Sequence, residues 1–148
     1  MRKILYSPPA LIAYSIGTLI ALFFSLPQFN LLLYPFNIIG ILIAILGLIL
    51  MGIARKLFKK HKTPLRLDTS SYLIKEGVFS KSRNPMYLGM LLVLVGISIF
   101  STNIFALVTP IVFFILIKYI YIRKEEKMLT ETFGEEYLAY KKIVRRWI

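Results

Sequence analysis

The chain has 148 residues, 57% of them hydrophobic, and a mean hydropathy of +0.71. That much apolar surface does not fit inside one small soluble core, so composition predicts an integral membrane protein, a single domain over residues 1–148. Nineteen Lys and Arg against seven Asp and Glu give a formal net charge of +12. The cations cluster outside the apolar runs, where membrane orientation and an anionic lipid surface account for them and no nucleic acid is needed. There is no cysteine, and His61 is the single histidine. Disulfides and thiol catalysis are excluded, and a single histidine argues against a histidine-rich metal site or a serine–histidine triad.

In chain order, Met1-Arg2-Lys3 resembles the charged start of a signal peptide. The long apolar run behind it shows no small-x-small cleavage pattern and reads as an uncleaved first span, about Pro9–Leu26. Ala13, Gly17, Ala21 and Ser25 form a small-residue stripe suited to close helix packing. The connection Pro27–Asn30 is uncharged. A second span, about Leu31–Ala54, carries Gly40, Ala44 and Gly47 on one face, and the two spans are expected to pair as an antiparallel hairpin through these faces. Neither span has an ionisable residue at its middle, which argues against a proton-coupled transporter or exporter.

A basic loop, residues 55–84, follows. Its first part extends the second span as a short basic helix, Thr63-Pro64 breaks it, and Glu76-Gly77 reads as a turn. Asn84 is an expected N-cap and Pro85 fits the first helical position. The third span, Pro85–Phe100, is only ~24 Å long at ~1.5 Å per residue, against a hydrocarbon core of ~30 Å. A span that short places Arg83, Asn84 and Tyr87 in a recess rather than on a flat surface. After the polar turn Ser101-Thr102-Asn103, a fourth span covers about Ile104–Ile122, with Pro110 allowing a bend and Lys118 free to snorkel. The tail, residues 123–148, opens with Glu125-Glu126. Gly134 is expected to stop its first helix. A second helix, Glu135–Trp147, is expected to lay Tyr137, Tyr140, Ile143 and Val144 on one side and to present Lys141, Lys142, Arg145 and Arg146 to anionic lipid.

Positive charge lies at both ends and in the middle loop. The expected fold is therefore all-α, with four transmembrane helices in two antiparallel hairpins and both termini and the amphipathic tail cytoplasmic, in the plasma (inner) membrane. The Arg83–Gly89 helix start and the Glu125-Glu126 pair then share one face. A ligand with a carboxylate, a cationic centre, hydroxyls and a flat ring matches that face, and S-adenosylmethionine has all four. Spacing alone ranks this cofactor no higher than a lipid headgroup.

Arg83-Asn84-Pro85-Met86-Tyr87-Leu88-Gly89 resembles the Arg-His/Asn-Pro-x-Tyr-x-Gly motif of integral-membrane methyltransferases, the isoprenylcysteine carboxyl methyltransferase and phospholipid N-methyltransferase superfamily. Glu125-Glu126-x-x-Leu129, Phe133-Gly134-Glu135-Glu136-Tyr137-x-x-Tyr140 and Val144-Arg145-Arg146-Trp147 resemble its C-terminal signature, so the likeness covers roughly residues 65–148. It implies a cytoplasm-facing S-adenosylmethionine pocket open to the bilayer for a lipophilic acceptor, either a lipid amine or an isoprenylated carboxylate. By the same resemblance Asn84, Pro85, Tyr87, Leu88, Gly89, Glu125 and Glu126 are the cofactor-binding candidates. Arg83 and Glu125 are the catalytic candidates, acting by alignment and binding. Asn84 stands where other members have histidine and cannot titrate near neutral pH. The alternative is a non-enzymatic scaffold or lipid-binding module on the same fold. A nicotinamide-dependent reductase of related fold would need a longer chain. Oligomeric state is left open.

Overall fold

The computed structural model of the protein describes residues 8–25, 35–62 and 72–148. The Met1-Arg2-Lys3 start, the Pro27–Asn30 connection and the Thr63-Pro64 break lie outside them. Among the described residues the architecture is all-helical. Helix α1 is Pro8–Ser25, α2 is Ile38–Lys60 and α3 is Pro85–Phe100. A 3-10 turn, Ile104–Leu107, leads into α4, Val108–Leu116. A π-helical segment, Ile117–Ile122, joins α4 to α5, Arg123–Ile143. By length and composition two helices suffice to cross a membrane, Ile38–Lys60 and the continuous run Ile104–Ile143; Ala10–Leu22 and Pro85–Phe100 are shorter apolar helices.

The tightest packing is between α2 and α3, and glycine makes it possible. A Cβ on Gly47 would stand 2.6 Å from the Gly89 carbonyl oxygen, and one on Gly89 would stand 2.7 Å from the Gly47 oxygen. Gly40 and Gly96 face each other as closely at the other end. Numbers rise along one helix as they fall along the other, so the pair is antiparallel. Direct backbone approach of this kind is the usual means of helix association where lipid removes the hydrophobic drive.

The small stripe of α1 does not make the expected contact with α2. Ala13, Gly17 and Ala21 are exposed, and nothing lies within 4 Å of a Cβ built on Gly17. Instead α1 sends Leu11, Ile12, Ile16 and Leu19 into a core with Met90 and Leu94 of α3 and Phe113 of α4. The larger side chains give α1 more to bury than its small face does, while the glycines of α2 find their match on α3.

Pro110 lies in the first turn of α4, where it disrupts little, and the irregularity expected there comes seven residues later. In an α-helix, residues five apart point about 140° away from each other. The wider π turn instead lets Ile117 and Ile122 both bury completely. It thus sets the rotation with which α5 begins, and with it the directions of Glu125 and Glu126.

Gly134 marks a break inside α5 with φ 49° and ψ −124°, a conformation open to glycine alone. Beyond it the helix ends at Ile143, short of the expected Trp147, and Val144 is extended. Tyr137, Tyr140 and Val144 are buried as expected, with Leu73, but Ile143 is 82% exposed. Residues Val144–Ile148 form a strap that returns across the start of α3. Gly96→Val is expected to force α2 and α3 apart and cost about 1–3 kcal/mol, read as a lowered unfolding temperature in detergent. Gly17→Ala and Gly52→Ala, with open space around both positions, are expected to be neutral or slightly stabilising.

Candidate functional site

The site begins where the loop meets α3. Gly77, at φ 61°, starts a 3-10 turn over Gly77–Ser80. The turn inserts Phe79 edge-on against Phe58 of α2, with ring centroids 5.6 Å apart. The Tyr140 hydroxyl donates to the Phe79 carbonyl at 2.6 Å and fastens the turn to α5. Three residues later the chain reaches Arg83 and Asn84. The Asn84 carbonyl accepts from Leu88 N–H at 3.0 Å and closes the first turn of α3, with Pro85 at its first position.

The Asn84 side chain does not cap that helix. At φ −130° and ψ 53° it makes no capping hydrogen bond. Its Nδ2 donates instead to the Arg146 carbonyl at 3.0 Å, and its backbone N–H donates to Ser82 Oγ at 3.2 Å. The strap competes for the side chain and wins, because a buried carbonyl there needs a donor.

From the other side α5 brings two adjacent carboxylates, and they differ sharply. Glu126 is saturated. Arg83 approaches Oε1 at 2.9 Å, Arg146 donates through Nε at 3.0 Å and Nη2 at 2.8 Å, and Lys141 stands 3.7 Å away. Burial acts to raise this carboxyl, but the Arg146 hydrogen bonds and the charges of Arg83, Arg146 and Lys141 prevail and hold it below the usual carboxylate range. Among the described residues Glu125 has the Tyr87 hydroxyl as its hydrogen-bond partner, and its buried Oε2 has none. Burial pushes the Glu125 carboxyl up to about 7, against the Tyr87 hydrogen bond and with help from the Glu126 charge. Arg83 also keeps a spare group. Its Nη1 reaches Glu126 and, at 3.3 Å, the Tyr137 hydroxyl, while its buried Nε has no partner.

These groups line one cavity, about 490 Å³ of empty space when its open mouth is counted. Its polar wall is Arg83, Asn84, Glu125 and Glu126; its aromatic wall is Phe58, Tyr72, Phe79, Tyr137 and Tyr140. Arg83 and Glu125, each with a buried polar atom left unpaired among the described residues, thus line a single space together with aromatic rings. Among the described residues no cluster of side chains could hold a metal ion.

Of the sequence candidates, Arg83, Asn84, Glu125 and Glu126 come together on the cavity, and Tyr87 joins through Glu125. Pro85, Leu88 and Gly89 do not line it, and Gly89 faces Gly47 and Met51 of α2. Sequence reasoning placed tyrosines at the site without naming them, and missed Phe58 and Phe79 of the aromatic wall and Arg146, which it assigned to a lipid-facing helix. The single tryptophan next to Arg146 was the available signal, since Trp147 packs on Phe114 with ring centroids 5.2 Å apart and draws the strap inward.

Residues 35–136 match the family model described as phospholipid methyltransferase. The chain is 37% identical over 111 residues to a protein-S-isoprenylcysteine O-methyltransferase of Saccharomyces cerevisiae, covering 71% of this chain and 45% of that protein. It is also 40% identical over 63 residues to an uncharacterized protein of Haemophilus influenzae, covering 43% of this chain and all of that protein. The chain thus spans less than half the length of the yeast relative. The family match extends over more than half of this chain and takes in α2, α3, α4 and both carboxylates, so the chain belongs to the phospholipid methyltransferase family of membrane methyltransferases.

Proposed function

We propose that this protein transfers a methyl group from S-adenosylmethionine to a lipophilic acceptor at the cytoplasmic face of the membrane. The observation that carries the reading is that Arg83 and Glu125, each with a buried atom unpaired among the described residues, line one cavity with five aromatic residues. In the same reading the four apolar helices span the plasma (inner) membrane, with both ends and the basic loop cytoplasmic, as the distribution of Lys and Arg supports.

The residues fit the cofactor's functional groups. Arg83 offers a buried donor to a carboxylate, Glu125 an acceptor to an ammonium or to hydroxyls, and Tyr137, Tyr140 and Phe79 offer faces to a cation or a flat ring. Bound S-adenosylmethionine supplies an electrophilic methyl on a sulfonium. What the protein adds is position: Arg83 and Glu125 fix the ligand's ends, and the aromatic wall limits water. A carboxylate acceptor reacts as the anion and needs no base. An amine acceptor must shed a proton, and Glu125, whose carboxyl sits near neutrality, is placed to receive it. Asn84 cannot do this work, because an amide does not titrate. The acceptor is thus of the kind the relatives' names describe, a lipid amine or an isoprenylated carboxylate.

Calorimetric titration into detergent-purified protein tests the reading. Saturable binding of S-adenosylmethionine and its demethylated product is expected, with none for a nicotinamide cofactor; binding of the nicotinamide alone would overturn it. Arg83→Ala is expected to weaken cofactor binding by about tenfold or more, the typical loss when a charged hydrogen bond is removed. Affinity is also expected to rise from pH 6 to pH 8 as Glu125 ionises and becomes a better acceptor, and Glu125→Gln is expected to flatten that dependence. Finally, a cysteine placed at exposed Ser80, unique in this cysteine-free chain, is expected to resist a membrane-impermeant thiol reagent on intact cells and react after lysis.

A further inference from the structure

We propose that Arg146 is a positioning residue for this site, an inference that rests on the cofactor reading above. It acts through both ends of the residue. The guanidinium grips Glu126 with two hydrogen bonds, at 3.0 and 2.8 Å. The carbonyl accepts from Asn84 Nδ2 at 3.0 Å and from Ser82 Oγ at 3.4 Å. Next to it, the Arg145 carbonyl accepts from the Arg83 backbone N–H at 3.0 Å. One short segment thus ties the start of α3 to the start of α5, the two elements that supply the polar wall.

Arg146 is held against Glu126, a residue of the cavity wall, by anchors on both sides. Val144 is buried with Leu73, Tyr137 and Tyr140, and Trp147 packs against Phe114. Between these apolar anchors the strap has little freedom, so the guanidinium meets Glu126 at low entropic cost. The result divides the labour of the two carboxylates. Glu126, engaged by Arg146 and Arg83, becomes a fixed anionic post that holds Arg83 at the cavity wall. Glu125, untouched by Arg146, keeps an oxygen for ligand. The bidentate fork matters here, because Lys supplies the charge but not the second hydrogen bond.

The test is a double-mutant cycle on S-adenosylmethionine affinity, with Trp147 emission, unique in this chain, reporting whether the strap stays seated. Arg146→Ala and Glu126→Gln are each expected to weaken binding about tenfold, and the double variant to be no weaker than the worse single one, since both act through one pair. Arg146→Lys is expected to fall between wild type and Arg146→Ala with Trp147 emission unchanged. Additive losses, or wild-type affinity in both Arg146 variants, would overturn the role of Arg146 alone. If Arg146→Ala unseats Trp147, the Lys variant decides: weakened binding with the strap in place supports the proposal, and wild-type binding overturns it. Absence of binding to the wild-type protein overturns the cofactor reading and this inference with it.

Discussion

The arrangement depends on one buried negative charge. Glu126 is 9% exposed, and a carboxylate so placed is costly unless cations and donors surround it. Arg83 arrives from the start of α3, Arg146 from the strap beyond α5, and Lys141 from the last turn of α5. Satisfying one carboxylate therefore ties the start of α3 to α5 and to the strap that follows it. Its neighbour in sequence, Glu125, points to a different surrounding and keeps an oxygen unpaired. The contrast between a saturated and an unsaturated carboxylate, one residue apart, separates a structural centre from the group that the proposed function assigns to the ligand.

The helices below the site serve the same end. Glycine at Gly47 and Gly89 brings α2 against α3 at backbone distance, which carries Phe58 up to Phe79 and builds the aromatic side of the cavity. The π turn between α4 and α5 allows Ile117 and Ile122 to bury together and sets how α5 is rotated as it leaves the apolar layer. Surface pairs add little by comparison. The Lys60–Glu76 and Lys75–Glu136 bridges, both at 2.7 Å, are exposed and screened. They hold the loop near the site without deciding its geometry.

Much of this was legible in the residues. The extents of α1, α3 and the fourth apolar segment follow from hydropathy and from Pro85 and the Ser101-Thr102-Asn103 turn. The meeting of Arg83 and Asn84 with Glu125 and Glu126 followed from charge placement and from the family motif. What escaped was decided by competition between partners. Asn84 is a good N-cap by type, yet a strap carbonyl takes its side chain. The small stripe of α1 suits close packing, yet the glycines of α2 pair with those of α3. Arg146 looks like every other cation of a basic tail until the strap bends back, and local sequence does not announce that bend except through Trp147.

The central claim is methyl transfer to a lipophilic acceptor, and the most direct measurement follows a labelled methyl. Purified protein in liposomes made from a total lipid extract, supplemented with a small isoprenylated thioether carboxylate, would receive methyl-labelled S-adenosylmethionine. Label is expected in the organic-extractable fraction, reduced in both Glu125→Gln and Arg83→Ala. Cofactor binding without any label in lipid or isoprenylated acceptor would contradict it and leave the cavity as the ligand site of a non-enzymatic membrane protein.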